Sequence, residues 1–407
     1  VRDTARGLDA ALADELATLE HAGLRRSLRA VSGRRGAHVR IDGRTVVDFS
    51  SNDYLGLAGD PRLAAAVQAA CADGPVGAGA SRLISGTDPR HQALERALAD
   101  YKRTEAACLF GSGYLANVGA IPALVGRRDV IYADALNHAS LIDGCRLSRA
   151  EVRTVPHNDV GALADLLAAD RGRFRRRLVV VDGVFSMDGD LAPLFDLVAA
   201  ARAEDAWTYV DDAHATGVLG ATGRGSAEHW GLEGEVDIVM GTLGKALGTA
   251  GAFIAGSRTL IDQLQNRART FVYTTATPPP LAAAASEALR IARAEPERRD
   301  RLRAGARRLR AGLQAQGHVV TGPEDGHIVP VPIGDSARTM TVAAALAARG
   351  FLVGAVRPPT VPTGTARLRL TLSAAHEPGE IDALLSAIAD VAPPAPPRDA
   401  PVAAPLA

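Results

Sequence analysis

The chain has 407 residues, 47% of them apolar and 23% charged, which excludes a disordered chain and exceeds what one small core can use. Lys and Arg together number 46 and so do Asp and Glu, leaving no charge excess to hold nucleic acid or an anionic membrane, and neither is expected as a partner. No apolar run reaches the roughly 18 residues of a membrane span. The start carries acids at Asp3, Asp9, Asp14 and Glu15 and no apolar core, so it does not read as a secretory signal. Cys71, Cys108 and Cys145 are odd in number and lack metal-ligand spacing. They read as reduced thiols of a cytoplasmic protein, and no metal is expected.

Leu8, Leu12, Leu16 and Leu19 recur at helical spacing and predict an N-terminal helix or arm. Residues 38–49 alternate like a hairpin with Asp42-Gly43 as its turn. From about 60 to 285, short apolar runs alternate with Ala/Leu-rich helical stretches. The strand candidates are 106–110, 129–133, 151–155, 178–181, 207–210, 236–240 and 251–255. Continuous apolar strands separated by helices predict an α/β fold with a mainly parallel sheet covered on both faces. One long helical segment is expected at 281–316. Beyond it, strands at 328–333, 352–356 and 367–372 and helices at 339–348 and 377–390 make a smaller α+β unit. The expected division is an arm at 1–50, a large domain at 51–285 and a small C-terminal domain at 286–391. A Pro/Ala-rich tail at 392–407 is expected to be disordered.

Only two of the 46 basic residues are lysines, Lys102 and Lys245. A lysine kept where arginine is so favoured is a candidate for chemistry that a permanently charged guanidinium cannot do. Lys102, in LADYKRTEA at an amphipathic helix end, reads as a plain surface residue. Lys245 lies in IVMGTLGKALGTAGAF, between apolar runs and among glycines, an odd place for a solvated amine. It is no P-loop lysine, because Val239 stands where the first glycine should be and no Ser or Thr follows. FGSGYLA (110–116) is a glycine-rich turn opening a helix. It reads either as a phosphate cradle or as an ordinary turn between strand and helix. VDDAHATG (210–217) follows a strand, so Asp211 and His214 can converge on one ligand; the other reading of Asp211 is a helix cap. With Ser186 in VFSMDGD and His138 in NHASL, these residues follow successive strands along one sheet edge.

SSNDYLGL (51–58), GASRLISGT (79–87), FGSGYLAN, NHASL, VFSMDGD, VDDAHATGVLG, TLGKALG and RPPTVPTGTARLRLTLSAAHE (357–377) resemble the α-oxoamine synthases. The likeness runs from about residue 20 to 390, with the motifs in order. Ala215 stands where a glycine is common, and Leu243 and Ala246 flank the lysine differently; none of these removes a reactive group.

The resemblance implies a fold-type I transferase dependent on pyridoxal 5'-phosphate (PLP), acting as a homodimer. Lys245 would carry the cofactor, Asp211 would pair with its pyridine nitrogen, and His214 would meet its ring hydroxyl. His138 would stack on the ring and polarise the substrate carbonyl, and Ser186 would bond the ring region. Gly113 and Tyr114 N–H groups and Thr242 would hold the phosphate, with Thr274 and Thr275 reaching it from a second subunit. Arg25, Asn52, Arg357 and Arg369 would receive substrate carboxylates, and Thr360 would lie near them. Within the family the motifs are most similar to the branch that condenses L-alanine with a pimeloyl thioester, carried on acyl carrier protein or coenzyme A. A glycine C-acetyltransferase-like activity and a PLP-binding protein without turnover are the alternatives.

Overall fold

The computed structural model describes residues 5–393. The tail expected to be disordered lies outside the described residues from 394 onward. A seven-stranded sheet is built from β4 (Ala106–Phe110), β5 (Val130–Asp134), β6 (Glu151–Val155), β7 (Arg177–Asp182), β8 (Trp207–Asp211), β9 (Ile238–Thr242) and β10 (Ala252–Gly256). Its order is β4-β10-β9-β8-β7-β5-β6. The neighbours from β9 through β6 run parallel, whereas β10 is antiparallel to both β9 and β4. Alternate residues of one strand enter opposite cores: Ile131 and Leu178 pack with Ile121 and Leu141, while Val130 and Val179 pack with Leu163 and Leu197. Two covered faces explain the unbroken apolar runs. The sheet is the mainly parallel α/β platform expected from the sequence, with one reversed strand that apolar patterning does not reveal.

The second sheet contains β1 (Ser32–Arg35), β2 (His38–Ile41), β3 (Arg44–Phe49), β11 (Ile328–Gly334), β12 (Phe351–Val356) and β13 (Ala366–Thr371), in the order β1-β2-β3-β12-β13-β11. The hairpin at Asp42-Gly43 forms as expected, both residues having positive φ (49° and 78°), as a tight two-residue turn requires. A short ribbon is marginal alone. Here β3 pairs in parallel with β12, so strands of the N-terminal segment complete the sheet of the C-terminal unit.

The first four helices in chain order are α1 (Ala5–His21), α2 (Pro61–Ala72), α3 (Pro89–Lys102) and α4 (Gly113–Leu124). Asp88 caps α3 ahead of Pro89, and Ser112 caps α4 by accepting from Leu115 N. The single helix expected at 281–316 is two, Pro279–Ala294 and Glu297–Ala315. Pro296 separates them, since proline has no N–H to continue the ladder and its ring clashes with the preceding turn.

Lys102 corrects the sequence expectation: it is buried. The last turn of α3 points its side chain inward, where Nζ donates to Asp212 Oδ2 at 3.0 Å and to the Arg224 carbonyl. Asp212 also accepts from Ser226 N, so the ion pair ties loop 222–226 to the end of β8. Amphipathic spacing places a residue on a helix face but does not show a carboxylate waiting beneath it. Removing one partner of a buried pair leaves the other charge uncompensated. Lys102→Ala should therefore lose about 3–5 kcal/mol of unfolding free energy at pH 7, read by urea denaturation. A loss below about 0.5 kcal/mol would show that the pair contributes no more than a surface one.

Candidate active site

The carboxyl ends of β5, β7, β8 and β9 and the segment after β3 meet in one crevice. Asp211 ends β8 on the same face as Tyr209, the face covered by α4. It is buried, and its carboxylate accepts from Asn117 Nδ2 at 2.7 Å and from Ala213 N at 2.9 Å. Asn117 also donates to Ser140 Oγ and accepts from the Tyr209 hydroxyl at 2.7 Å, so the amide is locked. Burial raises the Asp211 pKa; nearby Lys245 and the Asn117 and Ala213 donors pull it partly back. A carboxylate in this state gains from a further cationic N–H partner.

Lys245 sits in the tight loop after β9, held by the Leu243 N to Gly251 O and Gly248 N to Lys245 O bonds. Gly248 has φ of 62°, and a Cβ there would lie 2.4 Å from Ala58 N, so the loop presses directly on the segment after β3. Lys245 Nζ lies 2.8 Å from His214 Nε2, and His214 Nδ1 lies 2.6 Å from the Tyr54 hydroxyl. Burial, then the Lys245 and Arg369 cations, push the His214 pKa well below its ordinary value, so the ring is neutral. Burial lowers Lys245 to about 8, against the pull of Asp211 and Asp182.

Tyr54 Oη also reaches Asn52 Oδ1 at 3.0 Å, and Asn52 Oδ1 accepts from both terminal nitrogens of Arg369 at 3.3 Å. Arg369 Nε donates to the Ser186 carbonyl at 2.5 Å. This buried guanidinium has no carboxylate partner among the described residues, which leaves it free to receive one from a ligand. His138 lies on the exposed side of the crevice. Its N–H donates to Asp182 Oδ2 at 2.6 Å and its Nδ1 faces Ser140 Oγ at 2.7 Å. Surrounding protein lowers its pKa, with Asp211 opposing.

Gly113 and Tyr114 open α4, where first-turn N–H groups lack helical partners and favour an anion. A Cβ on Gly113 would meet Met240 Cε of β9 at 3.5 Å, which sets this helix end beside the strand that leads to Thr242. The Tyr114 side chain turns away to Asp143. Thr242 Oγ1 accepts from Gly244 N and donates to Gly251 O. Thr274 Oγ1 donates to the Thr275 carbonyl, and neither threonine side chain hydrogen-bonds these groups among the described residues.

Lys245, His214, Asp211, His138, Ser186, Asn52 and Arg369 thus converge. Arg25, Arg357 and Thr360 gather in a second group. Arg357 is buried and donates to the Arg25 carbonyl at 3.0 Å and to Met340 Sδ, and neighbouring Arg26 reaches Thr360 Oγ1. The Arg25 side chain is exposed and pairs with Glu20, the ordinary surface pairing of an arginine. Ala215, the departure beside His214, packs its methyl with Val184 and Ile328.

Sequence reasoning missed Tyr54, Asn117 and Asp182. Asn117 is one turn beyond Gly113 on α4, a spacing that puts both at the same helix face. Asp182 pairs with Asp211 in the sheet register, and burial together with the Asp211 charge raises its pKa strongly. The donor set fits PLP. Asp211 would supply the carboxylate for a protonated ring nitrogen, Lys245 a readily neutralised amine, and the head of α4 the N–H donors for a phosphate, to which the Thr242 hydroxyl could turn from the Gly251 carbonyl.

The two lysines give a clean titration. In the cofactor-free protein, acylation of Lys245 by an amine-selective reagent should rise with pH as its ammonium loses the proton, half-maximally near pH 8. Lys102, shielded with Asp212, should stay unlabelled while the fold persists. Peptide mapping reads both, and a midpoint above pH 10 at Lys245 would contradict the depressed value.

The family model of the class I and II aminotransferases matches residues 44–388. An 8-amino-7-oxononanoate synthase of Anaeromyxobacter dehalogenans is 52% identical over 393 residues, covering 97% of this chain and 98% of that one. Among solved structures, a serine palmitoyltransferase holding PLP superposes with a TM-score of 0.88 at 34% identity, over 96% of this chain and 98% of that one. The 8-amino-7-oxononanoate synthase of Francisella tularensis gives 0.74 at 26% identity, over 85% and 97%. The chain belongs to the class I and II aminotransferase family of PLP-dependent fold-type I enzymes and, within it, to the 8-amino-7-oxononanoate synthases.

Proposed function

We propose that this chain joins L-alanine to a pimeloyl thioester, on acyl carrier protein or coenzyme A, and that the residues of the crevice divide the work. A carbon–carbon bond forms between alanine Cα and the acyl carbonyl carbon. The Cα–carboxylate bond breaks to release CO2, the thioester C–S bond breaks to release the carrier thiol, and one proton is taken up. The product is 8-amino-7-oxononanoate, an intermediate of biotin biosynthesis. The observation that carries this reading is the Lys245 amine against a neutral His214, beside a buried Asp211 that wants a cation.

PLP, held by Lys245, Asp211, His214, Thr242 and the Gly113 and Tyr114 N–H groups, supplies a sink for the electron pair left at Cα. Asp211 keeps the ring nitrogen protonated by opposite charge. Lys245 Nζ, its pKa lowered by burial to about 8, accepts the Cα proton of alanine, closer to the operating pH than an ordinary lysine, as a general base needs. With PLP bound, His138 would stack on the ring and polarise the acyl carbonyl, and Ser186 would bond the ring region. Arg369, steadied by Asn52, receives the alanine carboxylate. Arg357, buried without an acidic partner among the described residues, is placed with Thr360 and Arg25 for the far carboxylate of the acyl chain.

The reading includes a cytoplasmic homodimer in which Thr274 and Thr275 act on the partner's cofactor phosphate. Two observations support a subunit contact: Leu8, Leu12, Leu16 and Leu19 form an exposed apolar stripe on α1, and Tyr273 beside the threonines is exposed. No described helix is long and apolar enough to cross a membrane.

Lys245→Ala should lose roughly 10²–10⁴-fold in kcat, the usual worth of a positioned acid–base group. Steady-state kinetics with pimeloyl-, glutaryl- and acetyl-thioesters, each with alanine, glycine and serine, test the substrates. Alanine with the pimeloyl thioester should lead in kcat/KM, and Arg25→Ala should weaken the pimeloyl substrate more than the acetyl one. A preference for glycine with the acetyl thioester would replace this assignment with the glycine C-acetyltransferase-like one.

A further inference from the structure

One side chain outside the crevice joins three strand ends on its side of the sheet. His157 follows β6, the edge strand. Its Nδ1 lies 3.0 and 3.2 Å from the two carboxylate oxygens of Asp134, at the end of β5. Its Nε2 lies 2.7 Å from Asp190 Oδ2, in the loop that follows β7. Carboxylates accept and do not donate, so each ring nitrogen must carry a proton and the ring bridges as an imidazolium. The two carboxylates overcome burial and raise His157 to about 10. Asn158 reinforces the bridge from both ends, its N–H on Asp134 at 2.8 Å and its side-chain amide on Asp190 at 3.0 Å. Phe185 closes the side edge-on at 4.4 Å. The remaining charged groups here are Asp188, on the same loop, and Arg367 of β13, which pairs with it.

Both carboxylates hold machinery. Asp134 accepts from Leu136 N, and its carbonyl accepts from Asn137 N, which shapes the turn leading to His138. Asn137 in turn bonds the Val180 carbonyl and Asp182 N. Asp190 closes the loop that carries Ser186: Phe185 N donates to the Asp190 carbonyl at 3.0 Å and Gly189 N to the Phe185 carbonyl at 2.8 Å. The Ser186 carbonyl orients Arg369. The loop is therefore gripped by His157 from the large sheet and by Arg367 and Arg369 from the small one.

We infer that His157 is a positioning residue for amino-acid recognition: by clamping Asp134 to Asp190 it sets the Ser186 loop and, through the Ser186 carbonyl, the aim of the Arg369 guanidinium at the alanine carboxylate. The inference rests on the proposed alanine-dependent activity. A clamp acting through Arg369 affects the grip on substrate more than the chemistry at Lys245.

The test uses the PLP-loaded full-length chain, His157→Ala and Asp190→Asn, with two readouts. In His157→Ala the KM for L-alanine should rise roughly tenfold or more, as expected when a substrate-positioning group is displaced, while kcat stays within about threefold. Hydrogen exchange at the amides of 184–192 should quicken relative to wild type. Added imidazole should reverse both effects at pH 6. The rescue should fade above imidazole's own pKa of about 7, because only the protonated ring can bridge two carboxylates. Asp190→Asn, which keeps the ring but removes one charge, should show the same changes at smaller size and decides the matter if His157→Ala does not fold. Unchanged alanine KM with unchanged exchange, or rescue that does not depend on pH, would overturn the inference. If wild type does not use alanine, the activity reading fails, while the exchange readout still decides the clamp.

Discussion

Asp211 ends β8 and Lys245 follows the neighbouring β9, and burial disfavours the charged form of both groups. The protein does not resolve this by pressing them into a simple ion pair. Asn117 and Ala213 N–H stabilise the Asp211 anion, while burial and a neutral His214 leave the Lys245 ammonium poorly supported. The carboxylate stays available to a cationic ring nitrogen and the amine stays close to losing its proton. Two states of charge are thus prepared before any ligand arrives. The surrounding structure can be understood as what keeps that imbalance in place: α4 delivers Asn117, the segment after β3 delivers Tyr54 to His214, and Gly248 allows the lysine loop to lie against residues 57 and 58.

The second sheet enters the site through Arg369. Its guanidinium is satisfied by a carbonyl and an amide oxygen, acceptors that fix its direction without neutralising its charge. The β3–β12 pairing matters here, because it joins the strand preceding Asn52 and Tyr54 to the sheet that bears Arg369. Asn52, Tyr54 and Arg369, from both ends of the sequence, are thereby held in one frame, and the crevice lies between the two sheets rather than inside either. Buried carboxylates elsewhere follow another rule: Asp212 is paired with Lys102, and Asp134 with His157. Those two acids are neutralised by the chain itself, whereas Asp211 is left under-compensated.

Much of this was legible from residue order. The inner strands of the large sheet coincide with apolar runs, since a strand covered on both faces needs apolar side chains along most of its length, whereas the edge strand β6, EVRTV, is largely exposed. Lys245 stood out because arginine replaces lysine almost everywhere else in the chain. Asp211, His214, His138 and Ser186 stood out because polar residues follow buried strands there. What could not be read depends on contacts between distant segments. Asn117 looks like any polar residue on a helix until β8 is placed beneath it, and Lys102 looks like a solvated helix end until Asp212 is placed beside it. The reversal of β10 leaves no trace in composition, because a strand buried on both faces carries the same residues in either direction. Pro296 lies inside the single helix expected at 281–316, and a proline at that place divides it into two.

The most direct measurement of the central claim is where the cofactor attaches. The PLP-loaded protein is reduced with borohydride, digested and mapped, with Asp211→Ala treated in parallel. The account predicts the pyridoxyl group on Lys245 in both proteins, with turnover lost in the variant because the ring nitrogen has lost its carboxylate. Pyridoxyl on Lys102, or near-normal turnover in Asp211→Ala, would contradict it.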